Sequence, residues 1–252
     1  MNVAVMQPTY LPWLGYFDLM DQVDAFVFLD DVQFSRQSWQ QRNRIKTANG
    51  PQWLTAPAKG RSNQRIIDVE LGDPSFCRKH LLSVEQNYRK APYFSAYFPS
   101  FSENFRKAAE TGLLAELNIS LISWMARAIE IQVPFFRSNA MEMDGLRSEK
   151  LARICEALEA TDYLSPLGAK EYLLDELDEF NNLGICVSFQ KFEHPVYRQL
   201  YGPFIPFISA IDVLFNEGPD SLNIIRRGRR CSLTAADVAP SHNRGIEDGD
   251  SN

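Results

Sequence analysis

The sequence predicts an α/β fold: a mostly parallel, Rossmann-like sheet with an antiparallel β-hairpin excursion and a helical insertion. Two short apolar runs begin at Val3 and Ala25, and an apolar-periodic segment ending near Val23 joins them. This strand–helix–strand order is typical of a βαβ unit. Strand and helix patterns alternate again after Val133, which favours parallel pairing. Between these regions the period changes, first to a hairpin pattern and then to helices.

The strands expected in the sheet are short apolar runs that end at polar or turn-forming residues. They begin at Val3, Ala25, Val133, Asp162 and Ile185. The carboxyl ends of parallel strands meet at one edge of a sheet, and ligands of open α/β sheets bind at that edge. The sequence therefore predicts where a site lies before it indicates the chemistry of that site.

The excursion is predicted for residues 42–71 and the helical insertion for residues 75–131. Segments 42–47 and 52–56 flank Asn49-Gly50, a strong hairpin signal, and segment 66–71 is expected to add a third antiparallel strand. Helical periodicity predicts helices over 76–89, 97–111, 114–131, 148–158 and 170–181. We expect a single α/β domain over residues 1–225, followed by a polar tail over 226–252 whose end is disordered.

Composition limits the class of partner. The chain has 252 residues and a net charge of −6, whereas duplex-binding proteins usually carry a basic face, so nucleic acid is not expected as a partner. No apolar run approaches the roughly 20 residues of a membrane span, and no signal-peptide pattern opens the chain. These features predict a cytoplasmic protein, and a small-molecule substrate is the expected partner. The oligomeric state stays open.

Three cations alternate along the first hairpin strand. Arg42, Arg44 and Lys46 lie two residues apart, so on a strand they point to one face. Such a face suits a phosphate or pyrophosphate, because arginine can bind it bidentately. Charges that protect a solvated edge strand are the alternative. Trp39 and Trp53 favour the binding role, because aromatic faces can stack a base or a sugar.

A carboxylate pair, Asp30-Asp31, ends the second apolar run. Carboxylates at a strand's carboxyl end can bind a ribose hydroxyl, a substrate amine or a metal. They can also cap the following turn. No third ligand stands at metal spacing, so we predict no metal site.

Two strand-to-helix turns supply further candidate ligand-binding residues. The first turn contains Gln7 and Tyr10 and leads to Gly15, and a turn near a helix N-terminus can hold an anion. Neither a G-x-G-x-x-G fingerprint nor a Walker loop is present there. The second turn contributes Ser165, Gly168 and Lys170, and an ordinary β-to-α loop is the alternative interpretation.

The best candidate general base is His194, which follows the last predicted parallel strand. A histidine in this position can equally be a hydrogen-bonded packing residue. His80 falls in a predicted helix and His242 in the tail, so both are weaker candidates.

Several motifs in order along the chain resemble the WbqC-like family. They are residues 6–17 (Met-Gln-Pro-Thr-Tyr-Leu-Pro-Trp-Leu-Gly-Tyr-Phe), Asp30-Asp31-Val32-Gln33, Arg42-Asn43-Arg44, Glu85-Gln86-Asn87-Tyr88, His194-Pro195-Val196-Tyr197 and the block 201–218. The resemblance covers about residues 2 to 220. It implies a place in gene clusters for O-antigen and other surface polysaccharides, and a glycyl or acyl transfer onto an amino sugar.

A second likeness concerns architecture alone. The helix that begins near Trp13 is similar in position to the H-x-G-H helix of nucleotidylyltransferases, but Trp13 and Tyr16 stand where that motif has its histidines. The resemblance therefore implies a nucleotide cleft without the phosphate-stabilising histidines.

The leading hypothesis is a transferase that moves a small aminoacyl or acyl group onto a nucleotide-activated amino sugar. His194 would take the proton from the attacking amine, and Asp30 or Asp31 would orient that amine or a sugar hydroxyl. A nucleotide or nucleotide sugar is the expected bound molecule, and no other cofactor is expected. The alternatives are a nucleotidyltransferase or ligase-like enzyme using ATP, and a non-catalytic sugar-nucleotide binding module.

Overall fold

A computed structural model describes residues 1–61 and 63–239. The strands are β1 Asn2–Met6, β2 Ala25–Phe28, β3 Arg42–Thr47, β4 Gly50–Thr55, β5 Phe135–Arg137, β6 Asp162–Ser165, β7 Cys186–Phe189 and β8 Leu233–Thr234. The longer helices are α2 Ser75–Tyr88, α3 Phe94–Glu110, α4 Leu114–Ala128, α6 Arg147–Ala157 and α10 Ser221–Gly228. The shorter helices are α1 Leu14–Met20, α5 Ser138–Met141, α7 Lys170–Asp175, α8 Asp178–Asn181, α9 Ile211–Glu217 and α11 Ala235–Val238.

The main sheet has six strands in the order β5-β2-β1-β6-β7-β8, and all its pairs except β7–β8 are parallel. The five parallel strands, numbered along the chain, follow the spatial order 3-2-1-4-5. This is the beginning of the doubly wound Rossmann order. The prediction of one mostly parallel sheet with a separate antiparallel hairpin is confirmed.

Side chains from both faces of the sheet are buried. On β1 and β2, Val3 and Val27 pack into one hydrophobic cluster with residues of α6 and α7. Ala4, Phe26 and Phe28 point the other way, into a larger cluster that includes α1, α4 and α9. Burial on both faces explains why these strands read as continuous apolar runs rather than as alternating patterns.

The excursion contains a two-stranded sheet, β3–β4, whose turn places Gly50 at φ +100°. Glycine favours this left-handed conformation because it has no Cβ. The predicted third strand over 66–71 is wrong as a strand: Ile66–Asp68 is a 3-10 helix, and only isolated bridges such as Ala58↔Leu71 follow. Apolar side chains of this segment pack against the helical insertion, and Ile66 and Val69 belong to the larger hydrophobic cluster. The hydrophobic run therefore reflects burial rather than pairing in a β-sheet.

The helix predicted over 170–181 is divided into α7 and α8, with Glu176 and Leu177 between them. The break lets two side chains face the same core. Leu173 of α7 is buried, and Phe180 of α8 stacks on Tyr163 of the sheet at a ring-centroid distance of 5.1 Å.

Ordered elements continue beyond residue 225, where the sequence predicted a polar tail. Helix α10 extends to Gly228, β8 pairs with β7 through Phe189↔Leu233, and a capping box begins α11 at Thr234. Strand β8 is only two residues long, so it shows no alternating pattern that would predict a strand in this polar sequence. The expected disorder concerns residues 241–252, which lie outside the described residues. No helix in the described ranges is long and apolar enough to cross a membrane.

Candidate functional site

The strand order reverses direction between β1 and β6, and the turns that follow these strands diverge to opposite faces of the sheet. In doubly wound folds the ligand crevice lies at such a switch point, outside the strands' carboxyl ends. The segment after β7 reaches back to this place, because the Gln190 side chain donates to the Gly15 carbonyl oxygen over 2.8 Å and to the Asp18 carboxylate over 2.7 Å. These two hydrogen bonds hold Gly15 and the start of α1 beside the end of β1.

An aromatic cavity of about 330 Å³ opens at the carboxyl end of β1. Its lining residues come from β1, the turn after it, α1, the segment before the hairpin, β3 and the segment before α9. They are Met6, Thr9, Pro12, Trp13, Tyr16, Trp39, Asn43 and Phe207. The cavity is apolar with few polar groups, as is usual for small-molecule sites. None of these lining side chains is a carboxylate.

Two hairpin arginines stack on Trp53, one ring behind the cavity wall. The Arg42 and Arg44 guanidinium carbons lie 4.7 and 5.5 Å from the Trp53 ring centroid. The Trp39 ring, which lines the cavity, lies 5.6 Å from Trp53. Stacking of this kind is worth about 0.5–1 kcal/mol at exposed sites, and it holds both guanidinium groups against Trp53.

Lys46 does not belong to this open face, although it alternates with the arginines as the sequence predicted. Its side chain is 1% exposed, and its Nζ donates to Gln199 Oε1 over 3.0 Å and to the Pro203 carbonyl oxygen over 2.6 Å. Burial lowers its pKa, and the nearby Asp212 carboxylate opposes that shift. The segment over residues 199–205 covers the amine, so the expected three-cation phosphate face is reduced to two arginines.

His194 lies on the opposite side of the cavity wall, stacked on Trp13 with 6.2 Å between ring centroids. Its Nδ1 is 3.0 Å from the Pro195 carbonyl oxygen. A carbonyl can only accept, so Nδ1 carries the proton in this contact and the neutral ring presents a lone pair at Nε2. Burial lowers the pKa of His194, which makes the ring neutral at pH 7.

Phe207 joins the two sides of the site. The Arg44 Nη2 lies 3.4 Å from the Phe207 carbonyl oxygen, and the Phe207 ring centroid lies 5.2 Å from that of His194 and 5.3 Å from that of Trp13. The Ser209 amide also donates to the Arg44 carbonyl oxygen over 2.9 Å. Arg44 and His194, which the sequence expected in one cleft, therefore meet around one residue that sequence reasoning missed.

The carboxylate pair is engaged elsewhere, in a cluster that we call the carboxylate network: Asp30, Asp31, Arg137, Ser138 and Lys150. Asp30 accepts from Arg137 Nε over 2.7 Å and from the Asn139 amide over 3.1 Å, and it is fully buried. Asp31 accepts from Lys150 Nζ over 2.6 Å and from the Ser138 hydroxyl. These contacts account for both carboxylates without a ligand, and neither residue lines the aromatic cavity.

The first turn contributes less to the cavity than the sequence suggested. Tyr10 is fully buried, with its hydroxyl 2.7 Å from His80 Nδ1, so it serves the core. Gly15 lies under the Trp13 indole, and a Cβ there would approach the ring to 2.2 Å, so the indole occupies the space above it. Gln7 is adjacent to the lining, since its carbonyl oxygen accepts from the Tyr16 hydroxyl over 3.2 Å.

The second turn also lies apart from the cavity lining. Ser165 is buried and donates its hydroxyl to the Pro166 carbonyl oxygen over 3.1 Å. Gly168 has open space around it and Lys170 is exposed, but neither lines the cavity. Among the described contacts, none links these three residues to the aromatic lining.

Most lining residues were not predicted as site residues from the sequence: Met6, Thr9, Pro12, Trp13, Tyr16, Asn43 and Phe207. Asn43 lies between the two arginines, but strand alternation turns it to the other face, so the cation pattern did not single it out. Phe207 carried no signal, because nothing in the apolar segment 204–214 distinguishes a cavity residue from a core residue.

The fold is an open α/β fold with an aromatic cavity at its switch point, which is the candidate site. The WbqC-like protein family matches residues 7–224, and the chain belongs to this family. It is 33% identical over 232 residues to an uncharacterized protein of Mycobacterium tuberculosis, covering 91% of this chain and 99% of that relative. No solved structure matches the chain.

Proposed function

We propose that this protein binds a nucleotide-activated amino sugar in the aromatic cavity and transfers a small aminoacyl group, such as glycyl, or an acyl group onto its amine. Surface-polysaccharide biosynthesis is the process in which such a product is used. The observation that carries the proposal is an aromatic cavity at the switch point. Its wall residue Trp39 packs on Trp53, which carries the two arginines, and its wall residue Trp13 stacks on a neutral histidine.

Binding follows from the chemistry of the walls. Aromatic rings pack against the apolar faces of sugars and stack on bases, and base stacking is worth roughly 1–3 kcal/mol. Arg42 and Arg44 suit the diphosphate, because each guanidinium can give two parallel hydrogen bonds to phosphate oxygens. The lining has no carboxylate to repel that anion.

The transfer itself requires a base and an activated donor. The neutral sugar amine attacks the carbonyl carbon of an acyl ester or thioester, forming a C–N bond. The C–O or C–S bond breaks, and the leaving group departs with its electron pair. His194 Nε2 accepts the amine proton, a role that its lowered pKa and its Nδ1–H tautomer support. Asp31 has no part in this proposal, because Lys150 and Ser138 engage its carboxylate.

One observation favours a non-catalytic binding module as the second candidate. His194 Nε2 is buried in the wall, so a ligand can fill the aromatic cavity without reaching a base. Ligand affinity without turnover would favour this candidate. Adenylyl transfer has less support, because the Trp13 indole covers Gly15 in the helix where nucleotidylyltransferases place their histidines.

A thermal-shift screen against UDP-, dTDP- and GDP-linked sugars tests the binding step. A ligand at about 100 times its Kd adds about 2.7 kcal/mol to the folded state. For a chain of this size that raises Tm by about 5–10 °C. Turnover is then measured by mass spectrometry with the best sugar nucleotide and activated glycyl or acetyl donors. Absence of any shift across the three nucleotide classes would contradict the proposal.

A further inference from the structure

Two buried polar atoms beside Phe207 have no partner among the described residues. They are Arg44 Nε and His194 Nε2. Two polar groups at the neighbouring cavity wall are paired: Asn43 Nδ2 donates to the Leu11 carbonyl oxygen over 2.7 Å, and Gln7 Oε1 accepts from Gln40 over 2.7 Å. Buried polar groups in folded proteins are normally satisfied, so two unpaired atoms around one residue call for an explanation.

The two atoms are complementary in kind. Arg44 Nε carries a proton and can only donate. His194 Nε2 can only accept, because Nδ1 holds the ring proton against the Pro195 carbonyl oxygen. A ligand group that satisfies both must offer one acceptor and one donor. A secondary amide does so, with its carbonyl oxygen for Arg44 and its N–H for His194.

Phe207 contacts both Arg44 and His194, and its conformation is unusual. Its φ of +58° lies in the left-handed region, which is unfavourable for a residue with a bulky side chain, and the residue is left 47% exposed. A strained residue with an exposed aromatic ring is poorly explained by core packing. A ring that covers a polar subsite and moves when the subsite is filled explains the strain, the exposure and the two unpaired atoms.

We propose that Phe207 covers a subsite in which Arg44 Nε and His194 Nε2 bind the amide group of an N-acylated amino sugar. This inference rests on the proposed function, because such an amide is the product of the transfer. It adds an amide-binding role for Arg44, which the diphosphate role does not require, and a specificity role for Phe207.

The covering role is tested with diethyl pyrocarbonate, which acylates unprotonated imidazole nitrogen. Modification of His194 is followed by peptide mass spectrometry, with His80 read in the same samples. We expect His194 to react about tenfold faster in Phe207→Ala than in the native protein, because the reaction no longer requires a local opening of the structure around His194. Phe207→Leu, which keeps a bulky apolar cover, should react at a rate near that of the native protein. Phe136→Ala, which removes another half-exposed ring, should leave the rate unchanged.

The amide role is tested with small probes in the Phe207→Ala protein. N-methylacetamide should slow modification of His194, whereas N,N-dimethylacetamide, which lacks the N–H, should not. In the native protein, UDP-N-acetylglucosamine should protect His194 at least about threefold better than UDP-glucose, because the two differ by one acetamido group.

The outcomes separate the two proposals. Equal reactivity of His194 in the native and Phe207→Ala proteins would overturn the covering role, and equal effects of the two small amides would overturn the amide subsite. If both UDP-sugars bind and protect equally, binding of a sugar nucleotide stands and the amide subsite fails. If neither UDP-sugar binds, the proposed function loses its support for these ligands, and the small amides alone decide the subsite.

Discussion

Two charged clusters lie at carboxyl ends of the same sheet, and they differ in how their polar atoms are used. In the carboxylate network beyond β2 and β5, Asp30 and Asp31 accept from Arg137, Lys150 and Ser138. Around the aromatic cavity beyond β1, Arg42 and Arg44 have no carboxylate partner among the described ion pairs and instead stack on Trp53.

Position at a strand end locates candidate sites but does not distinguish a functional cluster from a structural one. Both clusters were expected from the sequence at the carboxyl edge of the sheet. The difference emerges only from the partner of each polar atom: a saturated cluster stabilises the fold, whereas an unsaturated one beside a cavity is available to a ligand. We therefore expect the carboxylate network to be structural and the arginines by the aromatic cavity to be functional.

The largest expected effect is on the carboxylate network. Asp30→Ala leaves Arg137 and the Asn139 amide without their buried acceptor, so we expect the free energy of unfolding to fall by about 3–5 kcal/mol. Urea denaturation measures the loss. Asp68→Ala, which breaks the exposed pair with Arg65, is the matched control and should cost less than about 1 kcal/mol. A loss for Asp30→Ala no larger than that of the control would remove the structural assignment.

The next effect concerns His80, whose pKa burial lowers from 6.5 to about 4. A base with a lowered folded-state pKa gives stability that is present above pH 6.5 and is lost as pH falls through about 4. The shift corresponds to roughly 3 kcal/mol lost across that interval. Unfolding free energies of the native protein and His80→Gln at pH 7 and pH 4.5 test this. The variant should lose less stability on acidification, and an identical loss would show that other groups cause it.

A smaller effect separates Lys46 from the arginines on its own strand. Lys46→Met removes the donor to Gln199 and Pro203, so we expect the unfolding free energy to fall by about 1–3 kcal/mol. Affinity for the best sugar nucleotide should not change, because Lys46 Nζ is buried away from the cavity. A tenfold weaker Kd in a folded Lys46→Met protein would restore the three-cation face.

The sequence was sufficient to predict the elements whose period is set by burial on the sheet. The strands beginning at Val3, Ala25 and Asp162 and the Asn49-Gly50 hairpin were predicted because local patterns determine them. Segment 66–71 was misread, because an apolar run does not say whether it pairs as a strand or packs beneath helices.

The candidate site was predicted only in part for a different reason. Strand alternation placed Arg42 and Arg44 together, and position after a strand singled out His194. The covering of Lys46 by residues 199–205, and the meeting of Arg44 with His194 at Phe207, depend on contacts between segments more than 150 residues apart. No local pattern in the sequence encodes those contacts.

Calorimetric titration with one sugar nucleotide tests most directly the claim that the ligand binds at the arginines and not at the carboxylate network. It compares the native protein with Arg42→Ala, Asp31→Ala and Arg153→Ala. Loss of a charge-assisted hydrogen bond costs roughly 1.5–3 kcal/mol, so Arg42→Ala should bind about tenfold to a hundredfold more weakly with an unchanged Tm. Asp31→Ala should keep the native Kd while its Tm falls, and Arg153→Ala, an exposed arginine on α6, should change neither. Native affinity in Arg42→Ala together with weakened binding in Asp31→Ala would contradict the account and place the site at the carboxylate network.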